Sequence, residues 1–525
     1  MATSMAAQRS PFSLTAQRSP LAVPPVPGSR PDHRNLSHWM SRALEELASL
    51  RSASDPDTVH DLRVAIRRCR SLAAVMEEVD PDPAWPEMRK VARKLFRGLG
   101  ALRDTQVTKG WIKSLAPEGD TLQAQLLSSL DAEEKQETEA ALRIAEKFSE
   151  KDWAHLERHL KQRARLVPVG SLAAECLALE RYEEAKELHN RALRTEKSKP
   201  WHTLRIGLKR FRYTVESLLP DHYALWGDQL KRVQDLLGDI HDLDVLAELL
   251  EETKSPETEQ STQVWQEKIS QERLERLETY RQLTLGKTSL WHEWRHNLPH
   301  GERLEAAAAA RLHATARAAD AHPRRTNQVS RIAVRLFHLL HRAGAAHAFK
   351  DPGMRRIMQS AAKLHGVSSQ GDHYPTPKQA RKFLKSLPVP PNWTSDQWDL
   401  MAWVVRYHRG PEPKQKNGFA KLSEAQQTAV RALSGVLRLS RALRKCGIET
   451  TRGLGLENSA DAMVFRVPGI PDTAEAAARL AAAKHLLEST LKKPLILKAV
   501  PKPEASCIAS EPSPEPAPNP VTTPT

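Results

Sequence analysis

Between residues 33 and 292 apolar side chains recur every three to four positions in segment after segment, the spacing that gathers them on one face of a helix. Boundaries set by Pro, Gly and Ser-Asp signals, such as Ser54-Asp55-Pro56 and Lys199-Pro200, predict helices over 33–52, 56–79, 84–113, 120–148, 170–196, 199–219, 224–252 and 260–292. Helices in that number make two bundles of four. An Ala-rich stretch, Glu305–Asp320, predicts a helical connector closed by Pro323. From about 325 to 500 the pattern stays mostly helical but ends differently. A strand-like AMVFRV at 462–467 precedes a helix at 472–490 and a short strand-like PLILKAV at 494–500. The predicted fold class is mainly all-α, with a small α/β element at its C-terminal end. Residues 1–30 and 501–525 are rich in Pro and Ser and cannot build a core, so both are expected to be disordered tails. The expected organisation is a tail (1–30), a helical domain (31–296), a helical linker (297–324), a second domain (325–500) and a tail (501–525).

One helical motif occurs twice. Residues 60–72 read HDLRVAIRRCRSL and residues 202–214 read HTLRIGLKRFRYT. In each copy cations follow at steps of three, four and three: His60, Arg63, Arg67, Arg70 and again His202, Arg205, Lys209, Arg212. At 3.6 residues per turn these fall on one face as a cationic stripe. Beside it runs an apolar stripe, Leu62, Ile66, Cys69 and then Leu204, Leu208, Phe211, spaced for docking on a core. Like charges at this spacing repel by roughly 0.2–0.5 kcal/mol per pair. Asp61 is the one acid within the first motif, and the second has none. A solvated face, or salt bridges from other helices, would account for a single stripe. Repulsion kept in both copies points to a polyanion, since Arg grips phosphate oxygens through a planar fork and Lys as a point charge.

A second pair of matching segments follows. LFRGLGALRDTQV at 95–107 corresponds to VQDLLGDIHDLDV at 233–245, with Gly100 opposite Gly238 and Arg103-Asp104 opposite His241-Asp242. A glycine within a helical pattern costs roughly 1 kcal/mol relative to Ala, so its recurrence suggests close helix–helix approach. Asp104, Asp242 and Asp244 could orient the arginines or bind a metal; no tight multi-carboxylate loop accompanies them, which favours orientation.

Charge sharpens this picture. With 79 Lys+Arg against 64 Asp+Glu the chain carries +15, at a pI near 9.6. Nucleic acid, anionic lipid and polyphosphate are the partners such a balance admits. Proteins that read single strands usually stack bases on aromatic rings, and aromatic residues make up 5% of the chain. No zinc-finger or RNA-recognition pattern appears, and Trp201, Phe211 and Tyr213 beside the stripes read as core or flank. A chain of bare phosphates suits basic stripes without aromatics. Cys69, Cys176, Cys446 and Cys507 are isolated, with no CxxC or His/Cys cluster, which is consistent with a reducing compartment. No apolar run approaches 18 residues, and residues 1–30 lack the hydrophobic core of a secretory signal.

The segments VHDLRVAIRRCRSL, LFRGLGALRDTQV, LRIGLKRFRYTVE and VQDLLGDIHDLDVL together resemble the CHAD domain, the conserved-histidine α-helical family that binds inorganic polyphosphate. The likeness covers roughly residues 35–295. It implies duplicated antiparallel four-helix bundles about a pseudo-twofold axis, with basic helices lining a central channel. Carried over by motif, the residues it marks for phosphate contact are His60, Arg63, Arg67, Arg68, Arg70, His202, Arg205, Lys209, Arg210 and Arg212. Arg93, Lys94, Arg97, Lys231 and Arg232 on neighbouring helices form a second rank.

Residues 325–500 resemble a different family. AAKLHG at 361–366, VVRYHRG at 404–410, LSGVLRLSRALRKCG at 433–447 and the closing strand–helix–strand order are similar to the HD-like C-terminal region of exopolyphosphatases and guanosine pentaphosphate phosphohydrolases. The departures matter more. An HD phosphohydrolase holds its metal with a His, a His-Asp pair and a later Asp. Here the pair reads His365-Gly366, Arg325 stands near the first ligand position, and Arg441 stands at the last. His365, His373 and His408 remain, but the ligand set is broken. The glycine-rich phosphate loops of the catalytic half of that family have no counterpart, whether as GxGxxG or GxxxxGK[ST]. Arg406, Arg409, Lys414, Lys416, Arg438, Arg441, Arg444 and Lys445 could extend an anion-binding surface or be solvated.

The expectation is therefore a non-enzymatic, cytoplasmic protein that captures polyphosphate, with association to polyphosphate granules. It uses no cofactor and no metal, spans no membrane, and does not have nucleic acid as its partner. Two alternatives stand beside it: a metal-dependent phosphohydrolase working through the HD-like half, and a nucleic-acid-binding scaffold.

Overall fold

The computed structural model describes residues 35–52, 56–116, 120–256, 258–368, 375–414 and 417–501. The two expected tails fall outside these residues, save for residue 501, as do Cys507, His373 and Lys416. The chain is predominantly α-helical, with one small sheet at its C-terminal end, in line with the predicted fold class.

The first copy of the repeat is α1 (Leu36–Ser52), α2 (Pro56–Met76), α3 (Ala84–Gly98), α4 (Gly100–Leu115), α5 (Thr121–Glu146) and α6 (Glu150–Ala164). The second is α7 (Leu172–Ala192), α8 (Ser198–Leu218), α9 (Pro220–Glu252), α10 (Glu259–Thr284) and α11 (Leu290–Asn297). The two basic helices are α2 and α8. They pack against each other, so the two copies meet along them and one hydrophobic core runs from Leu36 to Leu298. A smaller cluster joins the copies again, placing Ile112, Leu115, Leu122 and Leu126 against Leu243, Leu246, Trp265 and Ile269.

Three helical expectations need correction. The segment 84–113 breaks at Leu99, between Gly98 and Gly100, whereas its counterpart α9 runs unbroken through Gly238. At Gly98 a Cβ would sit 2.3 Å from the Ile144 methyl on α5, so this glycine lets two helices meet. The segment 260–292 is also two helices, because the chain turns at Gly286 with φ +83. Helix α6 was not expected at all. Ser149 caps it by accepting from the Asp152 amide, and Trp153, Leu156 and Leu160 bury its inner face.

Helix α12 (Gly301–Ala319) corresponds to the Ala-rich connector and is more than a connector. It packs on α7 and on the helix Pro352–Leu364, contributing Ala314 to the first core and Ala308, Leu312, Ala316 and Ala319 to the second. Buried polar side chains fix this joint. Asp80, 1% exposed, accepts from Trp85 Nε1 and Arg163 Nε at 2.8 Å each, while Arg163 Nη2 donates to the Ala318 carbonyl at 3.2 Å.

The second core is built from α13 (Pro323–Arg342), α14 (His347–Lys350), α15 (Pro352–Leu364), α16 (Pro377–Ser386), α17 (Ser395–Tyr407) and α18 (Glu424–Lys445), closed by β1 (Gly455–Asn458), β2 (Met463–Pro468), α19 (Ala474–Leu491) and β3 (Leu495–Val500). Three of its helices start with the same reciprocal cap: Thr376 with Gln379, Thr394 with Gln397, and Ser423 with Gln426. The sheet runs β1-β2-β3, the first pair antiparallel and the second parallel across α19. Strand β1, short and largely exposed, was not expected.

Candidate functional site: a basic cavity between the two repeats

Helices α2 and α8 dock through the apolar stripes read from sequence: Leu62, Ile66 and Cys69, and Leu204, Leu208 and Phe211, are all essentially fully buried. Their cationic faces are thereby turned into a shared cavity of about 780 Å³. Arg63, Arg67 and Arg70 enter it from α2, and His202, Arg205, Lys209 and Arg210 from α8. Asp104 and Asp242, the matching carboxylates of the two copies, line it as well.

The remaining expected residues stand elsewhere. Arg68 turns to Glu216 at 2.6 Å and stacks on Trp39 at 3.9 Å. Arg212 is buried against Tyr223, 3.5 Å from its hydroxyl. His60, Arg93, Lys94, Arg97, Lys231 and Arg232 are exposed and do not line the cavity. Lys231 pairs with Asp235 at 2.7 Å one turn along its own helix. Arg93 lies in an adjoining groove with Lys90, Arg89 and Arg70. Because Arg70 and Arg89 line both recesses, the positive track continues from the cavity along α3.

Several contributors escaped the sequence reading. Phe96 on α3 lies under three guanidinium groups, at 4.4 Å from Arg63, 4.8 Å from Arg70 and 5.6 Å from Arg67. The ring quadrupole holds the cations without neutralising them. Arg181 reaches the rim from α7 and is tied to Glu78 and Glu184; Glu184 also holds Arg210 at 2.7 Å. Ser386, Leu387 and Pro388, at the end of α16 in the second core, wall one side. Nothing in the sequence near Ser386 signals that this segment meets the cavity.

The repeated glycines do not mark the tightest helix–helix approach. A Cβ at Gly100 would sit 3.5 Å from Arg63 Nη1, and one at Gly238 would sit 3.9 Å from Arg205 Nε. In both copies the glycine faces the arginine of the neighbouring basic helix at an ordinary contact distance, so space alone does not require glycine there; helices approach more closely at Gly98 and at Gly207, which faces Leu188. Arg63 donates to the Phe96 carbonyl at 3.1 Å. Asp244, grouped earlier with Asp104 and Asp242, instead pairs with Arg273 at 2.7 Å.

Burial and the crowding of like charge leave a clear electrostatic signature. Burial, followed by repulsion from Arg205, Arg67 and Arg63 and only partly opposed by Asp242, pushes Lys209 down to about 6. Burial, with Arg67, Arg103 and Arg205 adding to it against Asp104, lowers Arg63 to about 10. Arg70 and Arg205 are lowered by burial and by their cationic neighbours. His202 and His241, whose rings lie 4.4 Å apart, are lowered in the same way, His241 to about 4. Asp104 and Asp242 are pushed up by burial despite the arginines around them. The buried Nε atoms of Arg63, Arg70 and Arg205 have no hydrogen-bond partner among the described residues. Anionic oxygens placed in such a cavity would relieve the repulsion among its cations.

Elsewhere, His365 and His408 face each other with ring centroids 5.2 Å apart, both fully enclosed and held neutral by burial and nearby cations. At Gly366 a Cβ would lie 2.7 Å from Thr326 Oγ1 and 3.0 Å from Asp320 Oδ1, so the position has no room for a carboxylate side chain. Arg438, one of the basic residues singled out in this half, clamps the Tyr407, Gly410 and Pro411 carbonyls and serves the fold. Among the described residues no three His, Cys, Asp or Glu side chains form a group that could hold a metal ion. Nor is any helix there long and apolar enough to cross a membrane.

Comparison with known proteins agrees with the first resemblance. The family model of the CHAD domain matches residues 35–251, from the start of α1 nearly to the end of α9. Among solved structures, the crystal structure of the CHAD domain from the plant Ricinus communis is similar at 23% identity and a TM-score of 0.37, over 47% of this chain and 88% of that one. No curated protein matches the chain. The family match stops short of residues 325–500 and leaves their HD-like resemblance without support. Residues 35–251, which contain both basic helices and the glycine segments behind them, thus match the CHAD domain.

Proposed function

We propose that this protein binds inorganic polyphosphate, without turning it over, in the cavity between α2 and α8. The observation that carries the reading is the convergence of Arg63, Arg67 and Arg70 with Arg205, Lys209 and Arg210 on one enclosed space. A linear chain of phosphates offers oxygens on all sides at short repeat, so cations from facing helices can engage one chain together. Each contact is charge-assisted, worth about 1.5–3 kcal/mol, and each neutralised phosphate releases condensed counterions. Binding also offsets the burial and the mutual repulsion that depress Lys209 and Arg63. Of the Phe and Tyr rings that line the cavity among the described residues, Phe96 is covered by arginines and Tyr213 is buried, which favours bare phosphate over nucleic acid. Granule association would follow from polyphosphate capture.

The test is charge reversal of Arg63, Arg67, Arg205 and Lys209 to Glu, with long-chain polyphosphate binding followed by calorimetry and helicity by circular dichroism. Loss of binding with an unchanged helical spectrum supports the reading. A helical variant that still binds at wild-type strength contradicts it. Release of orthophosphate by the wild-type protein, supplied with polyphosphate and Mg²⁺ or Mn²⁺, would contradict capture without turnover.

A further inference from the structure

We propose that the second core holds an oxyanion site of its own, which takes a single phosphoryl group in the pocket formed by Arg325 and Thr326 of α13, His365 at the end of α15, and Arg441, Arg444 and Lys445 of α18. The proposal is independent of the cavity between α2 and α8, since it uses another core and other helices.

The pocket encloses about 140 Å³, room for one compact oxyanion and far less than the cavity between the repeats. Its mouth is set by Arg325 and Lys445, both exposed, and its depth by the half-buried Arg441 and Arg444. Basic residues in the last turn of a helix are ordinary partners of its negative end, and Arg444 and Lys445 taken alone would need no further explanation. Arg325 does not fit that account. It lies in the first turn of α13, where a cation meets the positive end of the helix and is disfavoured. Two helices therefore direct positive charge, and α13 its positive end as well, into the same small space.

The floor gives a second, separate indication. Thr326 is 3% exposed, lines the pocket, and its Oγ1 has no hydrogen-bond partner among the described residues. A buried hydroxyl without a partner is unfavourable, and an acceptor oxygen in the pocket would satisfy it. His365, 1% exposed, is fixed as its neutral form, with Nδ1 donating to the Ala362 carbonyl at 2.8 Å. It adds no charge and closes the base of the pocket beside His408. Gly366 is needed to keep this geometry, because a side chain there would strike Thr326 Oγ1. Guanidinium, ammonium and hydroxyl donors around a small enclosed volume suit a tetrahedral oxyanion with several acceptor oxygens, and a phosphoryl group has the charge to match.

The test is equilibrium binding of radiolabelled inorganic phosphate and, separately, of tripolyphosphate to the full chain. The wild type is compared with Arg325→Gln/Lys445→Gln, whose side chains are exposed, and with Thr326→Val. Any binding by the cavity between the repeats contributes equally to all three proteins, so the difference isolates this pocket. The expected result is a saturable site in the wild type weakened tenfold or more in the double variant and measurably in Thr326→Val. If that site appears with inorganic phosphate, the ligand is the free ion. If it appears with tripolyphosphate alone, the ligand is the end of a phosphate chain. Binding of both ligands that is identical in wild type and variants overturns the proposal, as does the absence of a site for either.

Discussion

Lys209 supplies a sharp test of how the cavity works. It is pushed down to about 6 by burial and by Arg205, Arg67 and Arg63. Phosphate oxygens beside it would favour its charged form and return its pKa toward the usual lysine value, so binding near neutral pH must take up a proton. A group whose pKa rises on binding favours the complex where it is already protonated, and that advantage is lost as pH climbs above its free value. Affinity should be greatest below pH 6 and should fall by up to tenfold per unit above it. At pH 8 about one molecule in a hundred carries the Lys209 proton before binding, a penalty of roughly 2.7 kcal/mol. The assay is titration calorimetry with long-chain polyphosphate, whose internal phosphates keep constant charge over this range, in buffers of different ionisation heat. The expected uptake at pH 8 is close to one proton per bound chain in the wild type, and it should disappear in Lys209→Met. His202 and His241 are also held low, and they leave a smaller uptake in the variant that fades above pH 7. Zero uptake in the wild type, or an unchanged pH profile in Lys209→Met, would refute the assignment of a neutral Lys209 waiting for an anion.

Three further outcomes are expected. The logarithm of the polyphosphate binding constant should fall steeply and linearly with the logarithm of salt concentration, and Arg70→Gln should lower that slope by about one, as read from titrations at several ionic strengths; a slope near zero would remove the charge-based account. Ser386→Glu places a carboxylate at the wall that the second core lends to the cavity and should weaken polyphosphate binding severalfold, while Ser386→Gln leaves it unchanged; equal affinity in both variants would mean that this segment does not bound the chain's path. Asp80→Ala strips Trp85 and Arg163 of their shared buried acceptor and should cost about 3–5 kcal/mol in chemical denaturation, with a loss under 1 kcal/mol counting against the joint described here.

The basic helices were legible because their steps of three, four and three fix a face whatever the partner, and because a second copy repeats them. That spacing also fixes which residues fail to reach the cavity. Arg68 follows Arg67 directly and so lies about 100° around the helix, where it meets Glu216 and Trp39. Arg212 continues the stripe of the second copy by spacing, yet lies beyond the cavity and turns to Tyr223. Phe96, Arg89, Arg181 and Ser386 come from other helices, and only tertiary packing brings them in. Close helix–helix approach was expected at Gly100 and Gly238, yet both face arginines of the basic helices at ordinary contact distance, because a sequence pattern cannot distinguish a neighbouring helix from a neighbouring guanidinium. Helix α6 was legible in principle from Ser149, Trp153, Leu156 and Leu160; an expectation of four helices per bundle left no place for it. In the second half, Arg325, His365 and Arg441 were singled out far apart in sequence and line one pocket, though as an array of cations around a neutral imidazole.

The claim beneath all of this is that both repeats grip a single phosphate chain. It is tested most directly by disabling one copy at a time and measuring binding capacity by calorimetry with polyphosphate of defined length. Arg63→Glu/Arg67→Glu alone, and Arg205→Glu/Lys209→Glu alone, should each abolish binding altogether while the wild type takes one chain. If either pair instead leaves half the capacity at undiminished affinity, the two helices bind separate chains and the shared cavity is not the site.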